Sequence, residues 1–332
     1  MVEGGSLSSI HRFAVKGLSS DSLREARVER RGALPRDRQY ALLFRSSAHL
    51  LKRNEWLHKQ HFVSVFSTPA IGARLESEFE GERSVLTVWP RGQRPQTPLL
   101  QASLETLSGR RAASDFFSEL AGEAVDLVDG ELTHQFGNTN KGAQATGDLR
   151  TLHLINAETV RSLALAAGVP ISSARFRPNL LVEGVPAWSE FDWIGKEICV
   201  GPRAQFRVLA RTVRCKGVAL SSEVDNKSDS HAGSHHAADA GGELDIISLL
   251  TQHFPQHGPY LGVYVQCTRA GLISVGDSVQ LKRCWLLRWG DTVFSCLVQM
   301  GDPRKLMHCQ HSTLGVLCLS FILVACCASW LW

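Results

Sequence analysis

Apolar and polar positions alternate in short runs over the first 45 residues, the period of half-buried strands. Residues 10–15 alternate loosely, Lys16-Gly17 interrupts them, residues 23–29 alternate again up to a turn at Gly32, and a third run, 39–44, follows Asp37-Arg38. Residues 61–66 and 84–89 are further strand-like runs between polar and Pro/Gly turns. The period becomes helical over 114–124, where Phe116, Phe117 and Leu120 share one side. Residues 130–148, rich in Gly, Asn, Thr and Gln, predict a crossing loop. Residues 152–160 then predict a buried strand running into a helix that Gly168-Val169-Pro170 ends. A helix over 244–253 and strands over 262–265, 271–277 and 279–281, with Gly276 at a tight turn, close the pattern.

Two stretches depart from it. Residues 221–242 are Ser, Asp, His, Ala and Gly with almost no apolar content, too little to bury, and predict a disordered insertion. Its His231, His235 and His236 could bind a metal, but a flexible polar loop is the plainer reading. Residues 314–332 carry no charge and have the length of a bilayer-spanning helix. With Arg304-Lys305 before them and Trp330 and Trp332 at the far end, they predict a tail anchor on a cytosolic domain, in the mitochondrial outer membrane or the endoplasmic reticulum.

A length of 332 residues supports one large or two medium domains, and a net charge of +4 argues against a nucleic-acid footprint. The cysteines are odd in number, nine, and show no paired spacing, which fits a reducing compartment. No secretory signal is expected from Met-Val-Glu-Gly-Gly-Ser.

Candidate chemistry concentrates in residues 173–225. Arg177 precedes Pro178, which predicts an extended backbone presenting the guanidinium as a fork for a phosphate. Asn179 can donate and accept. Arg214 directly precedes Cys215, and an adjacent cation favours the thiolate that a soft metal binds. Together these suit an anionic, metal-bearing cofactor; the bland alternative is a surface arginine and a half-buried free cysteine.

The tetrad Phe176-Arg177-Pro178-Asn179, the segment from Trp188 to Trp193 with its acids, and Arg214-Cys215 together resemble the MOSC family, named after the C-terminal part of molybdenum cofactor sulfurase. Val15-Lys16 and Gly32 with Asp37-Arg38 resemble the N-terminal β-barrel half that accompanies many such domains. The resemblance implies a β-dominated α+β fold: an N-terminal barrel half over 1–130, a MOSC β-barrel with peripheral helices over 149–283, a linker over 284–313 and the apolar tail. It implies a molybdenum cofactor (Mo-molybdopterin) with Cys215 as the catalytic thiolate ligand of the metal. Lys16, Arg38, Arg177 and Arg214 would neutralise the phosphate and pterin end, Asn179 would orient the pterin, and Asn156 would reach the cofactor unless it is a plain N-cap.

The sequence departs from the family pattern at Gly17, where a hydroxyl residue is usual, at Phe191 in place of a second acid, and at Thr212 in place of a first cysteine. Among relatives the chain looks most like the amidoxime-reducing component type. That implies reduction of N-hydroxylated substrates with electrons from a cytochrome b5-type donor and its NADH-dependent reductase. Two further readings stay open: a persulfide or cofactor carrier using Cys215, and a non-catalytic membrane-tethered protein.

Overall fold

Closure of the main sheet depends on a strand from the very start of the chain. In the computed structural model, β1 (Gly5–Arg12) pairs antiparallel with β11 (Leu180–Glu183) on one side and with β16 (Ser278–Leu281) on the other. Between β11 and β16 run β10 (Leu152–Asn156), β14 (Tyr260–Arg269), β13 (Ala204–Val213) and β12 (Glu197–Val200). The order β11-β10-β14-β13-β12-β16-β1 returns to β11, a closed seven-stranded barrel. Closure leaves none of these strands with a free edge. The structure describes residues 4–52, 55, 57–64, 67–94, 96–130, 136, 151–219 and 244–282. They belong to a compact unit of residues 1–282; a second unit, 283–332, lies outside the described residues, and the predicted tail with it.

The barrel is antiparallel except for β10 and β11, which pair in parallel. A parallel pair needs a crossover, and α3 (Ala157–Ala167) supplies it, capped by Asn156 at its start and by left-handed Gly168 at its end. α3 packs with α4 (Ile246–His253) over the outside of the barrel, which is why every residue of β10 is buried. Leu154, Leu180, Phe206, Val263 and Val279 fill the interior.

Among the described residues the N-terminal half forms two small sheets. β2 (Val15–Lys16), β5 (Tyr40–Phe44) and β9 (Val125–Asp129) make one three-stranded sheet, and β6 (Leu75–Glu80), β7 (Val85–Pro90) and β8 (Leu100–Ser103) make another. They share a core around Leu42, Leu86 and Phe117. The predicted strand 23–29 is split: β3 (Asp21–Leu23) pairs with β1, and β4 (Glu25–Val28) pairs with β15 (Gly271–Ser274). β1 and β4 therefore both pair with strands beyond residue 130, β1 with β11 and β16 and β4 with β15.

Of the two remaining helices, α1 (Pro69–Arg74) is short and α2 (Leu107–Ala121) begins seven residues before the apolar periodicity does. Thr106 caps α2 by accepting from Gly109, while Leu107 is 80% exposed, so its first turn carries no apolar stripe to read. The strand expected over 61–66 is instead a 3-10 turn, Lys59–His61, followed by a single bridge from Phe62 to Leu43, residues 65 and 66 lying outside the described set. The loop 130–148, apart from Gly130 and Phe136, and the histidine-bearing insertion lie outside it too. Among the described residues no helix is long and apolar enough to cross a membrane.

The acid kept between Trp188 and Trp193 has a structural use. Glu190 is fully buried, accepts from Thr159 Oγ1 at 2.9 Å and from Asn156 Nδ2 at 3.2 Å, and its Oε1 bonds no other residue among those described. Burial pushes its pKa up to about 7. Between the ordinary carboxyl value and pH 7 the unfolded chain has lost this proton and the folded chain has kept it. Stability contributed by this group is thus highest in acid and falls as pH rises through that window. Glu190→Gln is expected to flatten that slope and to stabilise the protein by about 2 kcal/mol at neutral pH, read as melting temperature against pH.

Candidate functional site

Asn179, just ahead of β11, joins the two halves. Its side chain donates to His11 O and to Asp37 Oδ1, each at 3.0 Å, and accepts from Arg38 Nη1 at 3.1 Å and from the His153 N–H at 3.2 Å. With 0% exposure and its amide committed on both ends, Asn179 is a positioning residue that fixes Asp37 and Arg38 against the barrel, in place of the predicted pterin contact. Asp37 also accepts from the Phe13 N–H at 2.8 Å, and its carboxylate pairs with the buried guanidinium of Arg38.

Arg38 and Arg177 approach the same Phe13 ring, at 4.7 and 4.1 Å from its centre. Both have left-handed backbones, φ 51° and 54°. The extended backbone expected of a residue before proline is therefore not adopted at Arg177. Arg177 ends the 3-10 turn Ser173–Phe176, its N–H donating to Ala174 O, and its Nη2 reaches Leu18 O at 2.7 Å. Such φ values are costly outside glycine and persist where the surroundings over-determine them. Here the cap, the carbonyl and the ring do so.

Arg214 donates from Nη1 to His153 Nε2 at 3.3 Å and from Nη2 to Phe176 O at 3.0 Å. The ring also lies against backbone on both sides, with Nδ1 3.5 Å from the Arg177 carbonyl and a further hydrogen bond to the Leu261 backbone. Burial and the Arg214 charge hold His153 well below its usual pKa, hence neutral. Gly262, φ 75°, makes room for this ring: a Cβ there would stand 2.7 Å from His153 Nε2.

Cys215 is exposed, and Lys59 Nζ lies 3.4 Å from its sulfur. The Lys16 ammonium donates to Phe136 O at 3.1 Å and stands over the Phe62 ring. Gly17 follows with φ 89° and Val63 O only 2.5 Å from where a Cβ would be, which explains the missing hydroxyl residue: no side chain fits. Burial, then Arg38, Arg177 and Lys59, lower the pKa of Lys16 to about 7. Tyr264 feels Arg214, Arg38 and Cys215 together. The predicted Lys16, Arg38, Arg177, Arg214 and Cys215 thus converge. Asn156 does not join them: it caps α3 through Glu158 N–H and binds Pro186 O and Glu190.

His153, Lys59, Asp37 and Phe13 complete the cluster and were missed as site residues from sequence. A histidine inside the buried run 152–155 was a usable signal; nothing marks Lys59, which reaches Cys215 from 156 residues away.

Cations gather around one thiol here, and the one carboxylate among the groups named, Asp37, is already bound. Arg214 Nε is buried with no hydrogen bond among the described residues. These features fit an anionic group. No three His, Cys, Asp or Glu side chains assemble among the described residues, so a metal at Cys215 would take its other ligands from a non-protein group, as a dithiolene-bearing pterin provides. An anion raises the pKa of Lys16 on binding, so binding takes up a proton and weakens as pH rises above 7. Calorimetric titration of phosphate between about pH 6 and pH 9 is expected to show that loss, and Lys16→Met to bind more weakly with a flatter profile.

Fold and site define a strand-dominated α+β barrel protein with a cationic, thiol-bearing rim. Residues 141–280 match the family model described as the MOSC domain. MOSC domains are associated with molybdenum cofactor binding. Among solved structures the chain is similar to the YuaD protein of Bacillus subtilis, at 11% identity over 85% of this chain and 97% of that one, with a TM-score of 0.36. It is also similar to YiiM of Geobacillus stearothermophilus, at 15% identity over 40% of this chain and 54% of that one, with a TM-score of 0.25. No curated protein matches the chain by sequence.

Proposed function

We propose that this chain binds the molybdenum cofactor at the cationic rim and reduces N-hydroxylated substrates to amine and water. The observation that carries the reading is a continuous cationic cluster in which Lys59 and Arg214 adjoin the exposed Cys215, and Lys16 adjoins Lys59, Arg38 and Arg177, backed by the buried Asp37–Arg38–Asn179 group. Cys215 would hold the metal through sulfur, and the cofactor when bound supplies the two-electron chemistry. Arg177 and Arg214 would hold its anionic end, each fixed by a backbone carbonyl, Leu18 O and Phe176 O. Lys16, with a pKa of about 7, can take up or release a proton at Nζ near neutrality. A cytochrome b5-type donor, its NADH-dependent reductase and a tail anchor at 314–332 belong to the same proposal. Benzamidoxime turnover by the cofactor-loaded protein with that electron chain is the test, and a loaded protein that turns nothing over sinks the reductase reading.

The exposure of Cys215 favours one second reading, a persulfide carrier. Sulfane sulfur on Cys215 without bound molybdenum would select it.

A further inference from the structure

The arginines of the β4 region take no part in the site, yet they stand beside a second basic group on the barrel wall. Arg27, Arg30 and Arg31 are exposed on and after β4, and Arg203, Arg207 and Arg269 are exposed on or beside β13 and β14. Backbone contacts join the two groups. The Arg31 N–H donates to Cys267 O, two residues before Arg269; Arg269 pairs with Gln205 across β13 and β14; and Gly271, opposite Val28, lies against Ala204, next to Arg203. Within the ribbon of β4 and β15, Leu272 faces Arg27 across the strands and is 43% exposed, and Val275 beyond it is 46% exposed. Of the acids in this area, Glu25 and Glu29 are exposed, while Glu197 binds Lys282 at 2.6 Å.

Lys282 gives this surface a direction. Its ammonium also touches Gln205, so the last described residue lies on this basic wall, 32 positions before an uncharged run of membrane-spanning length begins at Leu314. We propose that this face, Arg27, Arg30, Arg31, Arg203, Arg207 and Arg269 around Leu272 and Val275, lies flat on an anionic lipid surface. Arginines interspersed with exposed aliphatic side chains suit a headgroup layer, where the charges meet lipid phosphates and carboxylates and the apolar side chains dip toward the acyl boundary. The inference goes beyond the proposed anchor: the tail would attach the protein, and this face would set its orientation and its preference for acidic lipid.

The test is hydrogen exchange of the full chain on neutral phosphatidylcholine vesicles and on vesicles containing about 30% phosphatidylserine, with flotation run in parallel. Residues 24–31 and 269–276 are expected to exchange at least about tenfold more slowly on the anionic vesicles. About 0.5 M salt, or the triple variant Arg27→Gln, Arg31→Gln, Arg269→Gln, is expected to abolish the difference, since each cation near such a surface strengthens attachment about fivefold. Equal exchange on both vesicles overturns the proposal, as does protection that survives in the triple variant. Protection by soluble polyglutamate with none on either vesicle overturns it in favour of an acidic protein partner. A chain that floats only with anionic vesicles, with the ribbon protected, supports this face and refutes the anchor. Flotation with both vesicles and an unprotected ribbon supports the anchor and refutes this face.

Discussion

Asn179→Leu is expected to destabilise the metal-free protein by about 3–5 kcal/mol. Leucine matches the volume but removes every bond the amide makes. The His11 carbonyl and the His153 N–H lose a partner, Asp37 Oδ1 keeps only the Phe13 N–H, and Arg38 keeps only Asp37 among its recorded side-chain partners. Each of these groups is buried or nearly so, where an unsatisfied polar atom costs roughly 1–3 kcal/mol and a charge more. Asn179→Asp separates bond loss from shape. It keeps both acceptor positions but loses both donors and sets a second carboxylate beside Asp37, so it should be destabilised at neutral pH and partly rescued in acid. Urea titration of the apo protein measures both. A loss below about 1 kcal/mol for Asn179→Leu would show that this residue does not tie the halves together.

Cys215→Ala is expected to leave stability within about 0.5 kcal/mol of the parent, because the side chain is exposed and its side-chain bond among the described residues is to a half-buried lysine at 3.4 Å. Molybdenum content after reconstitution is expected to fall from stoichiometric to near zero, since the described residues offer no other soft ligand at this rim. Retained stoichiometric molybdenum in the folded variant would remove Cys215 as the ligand. Lys59→Ala should lower metal content less than Cys215→Ala does, because the sulfur remains while one cation facing it is lost.

Much of the secondary structure was legible because its signals are local. The run 152–156 reads as a strand since both of its faces are covered, and Asn156 and Gly168 mark the ends of the following helix by capping chemistry. The start of α2 was illegible because its first turn faces solvent, where helical periodicity has no apolar stripe to show. The predicted cations and the thiol were found through residue type and order, and they do converge. Of the two roles open to Asn156, the structure shows the N-cap, while the amide of Asn179, expected to orient a pterin, is engaged by buried backbone and side chains; spacing along a chain does not distinguish an amide that binds a ligand from one that binds buried backbone.

By itself the sequence determined the strand-rich composition, the helix caps and the residue types available for anion and metal chemistry. Tertiary structure alone decided that the first strand of the chain closes the C-terminal barrel, that Lys59 faces Cys215, and that Arg38 and Arg177 share one aromatic ring. The physical reason is range. Propensity, capping and alternation act over a few residues, whereas barrel closure and the pairing of buried charges depend on which distant strands meet, and that is settled by packing across more than a hundred residues of chain.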